Sequence, residues 1–445
     1  MRQTYHITTY GCQMNKSDSE RIASVLENSG FKKSSLEKAN YAFLNLCSVR
    51  QSAIDRVWGK INNIKKITGS ASSRQAKNIK IILTGCILPS EKNKFLKKVD
   101  YVLDLKDLFN WDILEKKLIN KNYLTANPKF NSKFQAFVPI MTGCNNFCSY
   151  CAVPYTRDRE KSRPVKDILD EVNKLIVQGY KFITLLGQNV NSYNGGIKFS
   201  ELLKKINKIQ GDYWLSFITS HPKDTSDELI KCFKTCKHLI PYIHLPIQSG
   251  SNKILSAMNR KYTTEDYLKL INKIKKINKN INLSTDIIVG FPNETEKDFN
   301  DTKKIIKKIK FDMAYIARYS PRPDTAAYKL KDNISLDEKK NREKILNNLL
   351  KKIALNNNKK LINKNIQVLI ERKKDNYYFG KTRNFKNVRI KVIEKLKAPL
   401  SSRSIAGWLP ETTSNEEIKG KNLIGKFINI KVTKANTWNL EGEMI

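Results

Sequence analysis

The chain has 445 residues, which at roughly 150 residues per domain is too long for one hydrophobic core and excludes a single small binding module. Hydrophobic residues make up 40% and aromatics 9%, enough apolar surface to exclude wholesale disorder despite 28% charged residues. Lys and Arg number 82 against 42 Asp and Glu, a formal net charge of +40, which points to an anionic partner such as nucleic acid or an acidic membrane surface. The lysine and asparagine bias recurs along the whole chain, as in KLINKIKKINKNIN from Lys269, so an adenine-rich genome accounts for part of it.

The first residues, MRQTYHITTYGCQ, carry no apolar stretch behind a basic region, and no run of 18 apolar residues occurs. The expectation is a cytoplasmic protein with no signal peptide and no membrane span. In that reducing compartment the eight cysteines read as metal ligands, catalytic thiols or buried residues rather than disulfides.

From the amino end, Tyr5–Thr9, Ala42–Leu46 and Ile79–Thr84 are short apolar or β-rich runs. Ser17–Asn28, opened by a Ser17-x-x-Glu20 capping box, and Gln51–Ile67 have helical spacing. The alternation predicts a parallel α/β layer of about three to four strands. A polar stretch at Asn127–Lys133 reads as a linker. The alternation then restarts, with strands expected at Phe137–Thr142, Phe182–Leu186, Trp214–Thr219, Tyr242–Leu245, Leu283–Val289 and Met313–Arg318. Helical segments such as Val165–Val177, Glu201–Ile209 and Glu265–Ile277 lie between them. Six βα units predict a partial parallel (β/α)6 barrel, whose chemistry belongs at the carboxyl ends of its strands. A long charged helix from Leu336 to about Lys360 follows. Short strands at Ile366–Ile370, Tyr377–Lys381, Val388–Val392 and Lys426–Val432 then predict a small β-barrel.

Two groups of three cysteines stand out. Cys144, Cys148 and Cys151 lie in the loop after the first barrel strand, spaced C-x3-C-x2-C. Three thiolates are one ligand short of a closed tetrahedral zinc site, and the next cysteine, Cys232, is far away. On a four-iron cluster they leave one iron open, a position that can chelate S-adenosylmethionine and cleave it reductively. A zinc loop completed by a distant histidine is the alternative. Tyr150 supplies an aromatic that can pack on a cofactor. Cys12, Cys47 and Cys86 are 35 and 39 residues apart, but each closely follows an expected strand, and neighbouring parallel strands open on one crevice. They read as a second open-site cluster or as three buried thiols. Cys232 and Cys236, at i and i+4 of a helix, read as ordinary buried or semi-buried thiols. His221 and His244 sit near barrel strand ends.

With these residues in hand, the sequence resembles a methylthiotransferase of the radical-SAM class nearly end to end. The resemblance is carried by TYGCQMNKSDSE at Thr9–Glu20, NLCSVRQSA at Asn45–Ala53, LTGC at Leu83–Cys86 and GCNNFCSYCAVPYTRDREKSRP at Gly143–Pro164. It continues through LLGQNVNSY at Leu185–Tyr193, TSHP at Thr219–Pro222, HLPIQSGS at His244–Ser251, STDIIVGFP at Ser284–Pro292 and YSPRPDT at Tyr319–Thr325. It implies three domains: 1–128 with an auxiliary [4Fe-4S] cluster on Cys12, Cys47 and Cys86, 129–361 as the radical-SAM barrel with its cluster on Cys144, Cys148 and Cys151, and 362–445 as a TRAM-like RNA-binding β-barrel. It also implies two S-adenosyl-L-methionine molecules, one a methyl donor and one a radical source, for placing a methylthio group on C2 of a tRNA adenosine.

Gln13-Met14-Asn15 after Cys12 favours the branch that acts on N6-dimethylallyladenosine immediately 3′ of the anticodon, over branches that act on threonylcarbamoyl-adenosine or a ribosomal-protein aspartate. Expected partners are tRNA, an electron donor protein of the flavodoxin or ferredoxin type and a sulfur source, with the chain a monomer. By position on strand ends, Gln188, Ser216, Gln248 and Asp286, with Tyr150, are the expected cofactor contacts. Asp158 departs from the pattern, since relatives commonly carry glycine there, and it puts the local turn in question.

A non-catalytic RNA-binding protein with structural zinc is the reading of a different class. Its support is the charge and the terminal barrel, where Lys381, Arg383 and Phe385 pair phosphate contacts with base stacking. The densest charge, thirteen Lys and Arg against three acidic residues over Lys359–Lys397, spans the start of that barrel and marks it as the candidate tRNA grip.

Overall fold

The computed structural model describes residues 3–69, 79–114, 122–392 and 422–445. The chain divides into two compact units, Met1–Ile353 and Ala354–Ile445.

The first unit begins with β1 (Thr4–Tyr10), α1 (Gln13–Asn28), β2 (Lys32–Lys33), β3 (Tyr41–Cys47), α2 (Gln51–Gly69), β4 (Lys80–Cys86), α3 (Pro89–Leu96) and β5 (Tyr101–Val102). The five strands form one parallel sheet in the order β2-β1-β3-β4-β5. Both faces are covered, which is why β3 reads as a continuous apolar run rather than an alternation. Phe43 packs on one side with Tyr5, Ile22, Ile82 and Trp111, and Ala42 and Leu44 pack on the other with Val57, Ile61 and Leu83. The expected capping box at Ser17 and Glu20 is not the start of α1. The helix opens four residues earlier with Cys12 as its N-cap, whose N–H donates to Asn15 Oδ1 at 3.2 Å. Ser17 and Glu20 are interior and buried, because α1 packs against the next layer: Ser17 Oγ donates to the Phe137 carbonyl at 3.3 Å.

That layer comprises β6 (Gln135–Pro139), β7 (Met141–Thr142), α4 (Val153–Arg157), β8 (Lys161–Ser162), α5 (Val165–Val177), β9 (Phe182–Leu186), α6 (Phe199–Asn207), β10 (Trp214–Phe217), α7 (Asp227–Thr235), β11 (Tyr242–His244), α8 (Asn252–Ala257), α9 (Thr264–Ile277), β12 (Asn282–Val289), α10 (Glu296–Ile309) and β13 (Met313–Arg318). The six expected barrel strands are present as two parallel three-stranded arcs, β10-β9-β6 and β11-β12-β13. Leu215 joins them, donating its N–H to the His238 carbonyl at 2.8 Å and accepting from the Ile240 N–H at 2.9 Å. One core runs through both arcs, including Val138, Ile183, Leu215, Ile243, Leu283 and Ala314.

Two strand ends differ from expectation. The first strand stops at Pro139, and Met141–Thr142 leaves the arc to pair antiparallel with Lys161–Ser162. The third stops at Phe217, since Thr219 adopts φ +72°, outside the β region.

The second unit takes in the end of α11 (Leu336–Lys359) and then β14 (Asn365–Lys374), β15 (Tyr377–Thr382), β16 (Asn387–Lys391), β17 (Phe427–Ala435) and β18 (Asn439–Met444). The strands close into a barrel in the order β14-β15-β16-β18-β17, filled by Val368, Ile370, Val388, Ile390, Ile430, Val432 and Leu440. β18 was not expected: NLEGEM buries only Leu440 and Gly442 and shows too little apolar alternation to read as a strand.

Candidate functional site

The C-x3-C-x2-C loop is held from several directions. Gly143 sits at φ +80°, where a Cβ would stand 2.0 Å from the Arg159 carbonyl oxygen, so only glycine fits. Its N–H donates to Gln188 Oε1 at 2.6 Å, and the Cys144 N–H donates to the Asp158 carbonyl at 3.2 Å. Ser149 donates its N–H to the Met258 carbonyl at 3.0 Å and accepts from the Ala327 N–H at 2.7 Å. Asp158 itself lies at φ +61°, ψ −164°, a region that is essentially glycine's. The departure from glycine noted in the sequence is therefore a strained residue.

Burial pushes the Cys151 thiol up to about 12 and also raises Cys144. Cys148 receives a hydrogen bond from Arg260 Nη1 at 3.4 Å. That buried guanidinium is fixed by the Pro246 carbonyl at 2.8 Å and the Tyr262 hydroxyl at 2.8 Å.

The second triad is assembled by the sheet. Cys47 and Cys86 are register partners at the carboxyl ends of β3 and β4, and Cys12 caps the helix that leaves neighbouring β1. Asn15 ties the three ends together: its amide donates to Asn45 Oδ1 at 3.0 Å and the Leu46 carbonyl at 3.2 Å, while its Oδ1 lies 3.4 Å from Cys12 Sγ. Gly85 adopts φ +105°, and a Cβ there would meet the Leu46 carbonyl oxygen at 2.3 Å.

Burial raises the Cys12 thiol. A hydrogen bond from the Cys47 thiol, together with Arg157, holds Cys86 below its ordinary value, while Cys47 as the donor rises. Arg157 Nε stands 3.0 Å from Cys86 Sγ, and the same guanidinium is clamped by Asp18 at 2.5 Å and 3.4 Å and by the Tyr123 hydroxyl at 3.3 Å. Arg157 and Asp18 are both buried. A cavity of about 500 Å³ beside them is lined by Gly85, Tyr123, Thr142, Arg157, Arg159 and Lys161 among others.

Among the described residues no group of three His, Cys, Asp and Glu side chains is gathered as around one metal ion. What both triads share instead is a buried guanidinium donating to a thiol sulfur. Arg157 has the Asp18 carboxylate as its negative partner, whereas Arg260 is met by the Cys148 sulfur, a hydroxyl and a carbonyl. A permanent cation out of water needs a negative partner, and a thiolate or cluster-bound sulfur at Cys148 supplies it. At the second triad three thiols at adjoining strand ends form the donor set, so the donor chemistry fits thiolate-ligated clusters.

The expected cofactor contacts fall at different places. Gln188 is spent on Gly143, as above. Tyr150 packs on the apolar group of Ile254, Met258 and Phe291, and burial raises its phenol. Gln248 has φ +73° and bridges alongside β12, its N–H donating to the Asp286 carbonyl at 2.9 Å and its carbonyl accepting from the Ile288 N–H at 3.0 Å. Asp286 Oδ2 lies 3.2 Å from His244 Nε2, whose Nδ1 is 2.8 Å from Ser284 Oγ. Ser216 Oγ is buried without a hydrogen-bond partner, as are Asn189 Oδ1 after β9 and Ser220 Oγ after β10. Such orphaned polar atoms at the carboxyl ends of β9 and β10 suit a polar ligand. Sequence reasoning missed Arg157, Arg260 and Asn15. Burial alone does not separate them, since Arg21, Arg163, Arg322 and Arg342 are buried as well; contact with a cysteine sulfur does.

Cys232 and Cys236 are buried at the end of α7. In the second unit, Lys381 Nζ lies 4.7 Å from the Phe385 ring centroid and donates to Asn387 Oδ1 at 2.8 Å. Phe385, at φ +66°, makes the tight turn between β15 and β16. Arg383 on that turn is half-buried, which lowers its guanidinium. The part of the basic segment beyond Val392 lies outside the described residues. Among the described residues no helix is long and apolar enough to cross a membrane.

Residues 138–306 match the model of the radical SAM superfamily, and residues 4–105 match the uncharacterized protein family UPF0004. A solved structure with a similar fold is the radical S-adenosylmethionine methyltransferase TsrM from Kitasatospora setae with cobalamin and a [4Fe-4S] cluster bound. It has 12% identity and a TM-score of 0.53 over 74% of this chain and 77% of that one. The tRNA-2-methylthio-N(6)-dimethylallyladenosine synthase of Clostridium novyi (strain NT) is 39% identical over 99% of this chain and 96% of its own length. Its counterpart in Thermoanaerobacter sp. (strain X514) is 39% identical over 99% and 92%. With that identity sustained over nearly the full length of both partners, the chain belongs to the tRNA-2-methylthio-N(6)-dimethylallyladenosine synthase family.

Proposed function

We propose that this protein is a radical-SAM methylthiotransferase that replaces the C2 hydrogen of N6-dimethylallyladenosine in tRNA with a methylthio group. The observation that carries the reading is the pair of cysteine triads at or beyond strand carboxyl ends, each with a buried cysteine, Cys86 or Cys148, against a buried guanidinium. Cys144, Cys148 and Cys151 hold one [4Fe-4S] cluster and Cys12, Cys47 and Cys86 the other. When bound, these clusters supply the one-electron cleavage of S-adenosylmethionine and the sulfur that is transferred.

The protein's own residues do the positioning. Gly143, Gln188 and Ser149 fix the loop whose three thiolates would hold a four-iron cluster, a set one ligand short that would leave a place for S-adenosylmethionine. Ser216, Asn189 and Ser220 offer polar atoms to that ligand, with Gln248 and Asp286 on the neighbouring arc. Arg260 and Arg157 balance the negative charge of buried sulfur. Residues 362–445 form a TRAM-like tRNA-binding module, with Lys381, Arg383 and Phe385 on its grip. An electron donor protein of the flavodoxin or ferredoxin type and a sulfur source complete the reaction, which takes place in the cytoplasm.

The test is mass spectrometry of bulk tRNA nucleosides from a strain lacking the gene. Loss of the 2-methylthio group with the dimethylallyl group retained is the expected result. An unchanged nucleoside profile, or stoichiometric zinc without iron absorbance in the purified protein, would sink the reading.

A further inference from the structure

Arg157 belongs by sequence to the loop of one triad and by contact to the other. It ends α4, six residues after Cys151, yet its Nε donates to Cys86 Sγ at 3.0 Å. Its two terminal nitrogens reach Asp18 of α1, the helix that Cys12 caps. A single buried guanidinium thus touches the elements that carry two of the three cysteines of the second triad. The planar fork leaves it little freedom to turn away from Cys86 while Asp18 holds the other edge. Lys106, Arg159 and Lys161, by contrast, lie at exposed positions beside the cavity.

We propose that Arg157 is a positioning residue for the auxiliary centre: clamped by Asp18 and Tyr123, it fixes Cys86 and sets the reduction potential of the cluster held there. The inference rests on the reading that Cys12, Cys47 and Cys86 bind a cluster. A hydrogen bond and a fixed positive charge at a ligand sulfur favour the more reduced, more negative state, so Arg157 raises that potential. Because α4 follows Cys151 directly, the radical loop and the auxiliary ligands are mechanically one body at this point.

The test uses the full chain with Cys144→Ala, Cys148→Ala and Cys151→Ala, reconstituted anaerobically so that only the auxiliary cluster contributes. Its potential is read by titration monitored by electron paramagnetic resonance. Arg157→Met alone leaves Asp18 buried without its counter-charge and threatens folding, so the effect of the guanidinium is read as the difference between Asp18→Asn alone and Asp18→Asn with Arg157→Met, in both of which the carboxylate charge is absent. Arg157→Lys keeps the charge and loses the fork.

The expected result is four irons per chain throughout, with the reduction equilibrium of the double variant shifted at least tenfold toward the oxidised form relative to Asp18→Asn, and Arg157→Lys shifted the same way from the parent by less. A double variant of unchanged circular dichroism whose potential equals that of Asp18→Asn would overturn the proposal, since a purely structural ion pair predicts that outcome. If the triple-alanine parent itself takes up no iron, the reading of the second triad fails, and this inference with it.

Discussion

The two cysteine triads are assembled by opposite routes. Cys144, Cys148 and Cys151 fall within eight consecutive residues, and their loop is pinned by bonds to Gln188, Met258 and Ala327. Cys12, Cys47 and Cys86 are spread over 75 residues and meet only because β1, β3 and β4 are parallel, adjacent and in register. A local site tolerates errors elsewhere in the fold, whereas a site built from strand ends depends on the whole sheet. Each is finished by a long-range arginine, Arg260 for the first and Arg157 for the second.

The cysteines themselves give the largest expected contrast. Cys151→Ala abolishes formation of 5′-deoxyadenosine, while Cys12→Ala keeps that cleavage and loses methylthiolated nucleoside. Chromatography of deoxyadenosine beside nucleoside mass spectrometry checks both. If the two variants lost the same step, the division of labour between the triads would be broken.

The glycines sharpen the comparison next. Gly143→Ala and Gly85→Ala each put a Cβ within 2.0 and 2.3 Å of a carbonyl oxygen at positive φ. Each should cost about 2 kcal/mol or more in chemical denaturation. Iron should fall at the first triad only for Gly143→Ala and at the second only for Gly85→Ala.

Gln188→Leu leaves the Gly143 N–H without its acceptor and should cost about 1–2 kcal/mol in the same assay. No change would mean that the loop holds itself. Asp158→Gly runs the other way. It relieves a conformation worth about 1–3 kcal/mol, less the backbone entropy of glycine, and gives up only an exposed pairing with Lys106. A net gain of about 1 kcal/mol in thermal or denaturant melts is expected.

The smallest effect lies outside both triads. Lys381→Ala should lower the slope of log affinity for tRNA against log salt by about 1, with iron content unchanged. An unaltered slope would return the terminal basic segment to compositional background.

Legibility in the sequence followed the range of the interactions. The strand Phe182–Leu186 matches its expected bounds, because a buried parallel strand is an apolar run between turn signals. The capping box at Ser17 and Glu20 failed because burial of α1 against the barrel competes with local capping chemistry, and Asn15 serves as the cap partner instead. The last strand, Asn439–Met444, failed for a related reason. Pairing with its neighbours on both sides, β16 and β17, makes it a strand, and its own composition does not. Among the cofactor candidates, Gln188 proved to be a clamp on the cysteine loop, a role that depends on a partner 45 residues away.

The sequence by itself determined the α/β alternation, the terminal barrel, the close spacing of Cys144, Cys148 and Cys151 and the reaction class, because periodicity, short cysteine spacing and long motifs are local properties of a chain. Only the tertiary structure decided that Cys47 and Cys86 stand side by side, that Asn15 ties the strand ends, and that Arg157 and Arg260 are the two guanidiniums held against sulfur. Those depend on strand register and on the cost of burying charge. Neither quantity is fixed until the chain has folded around it.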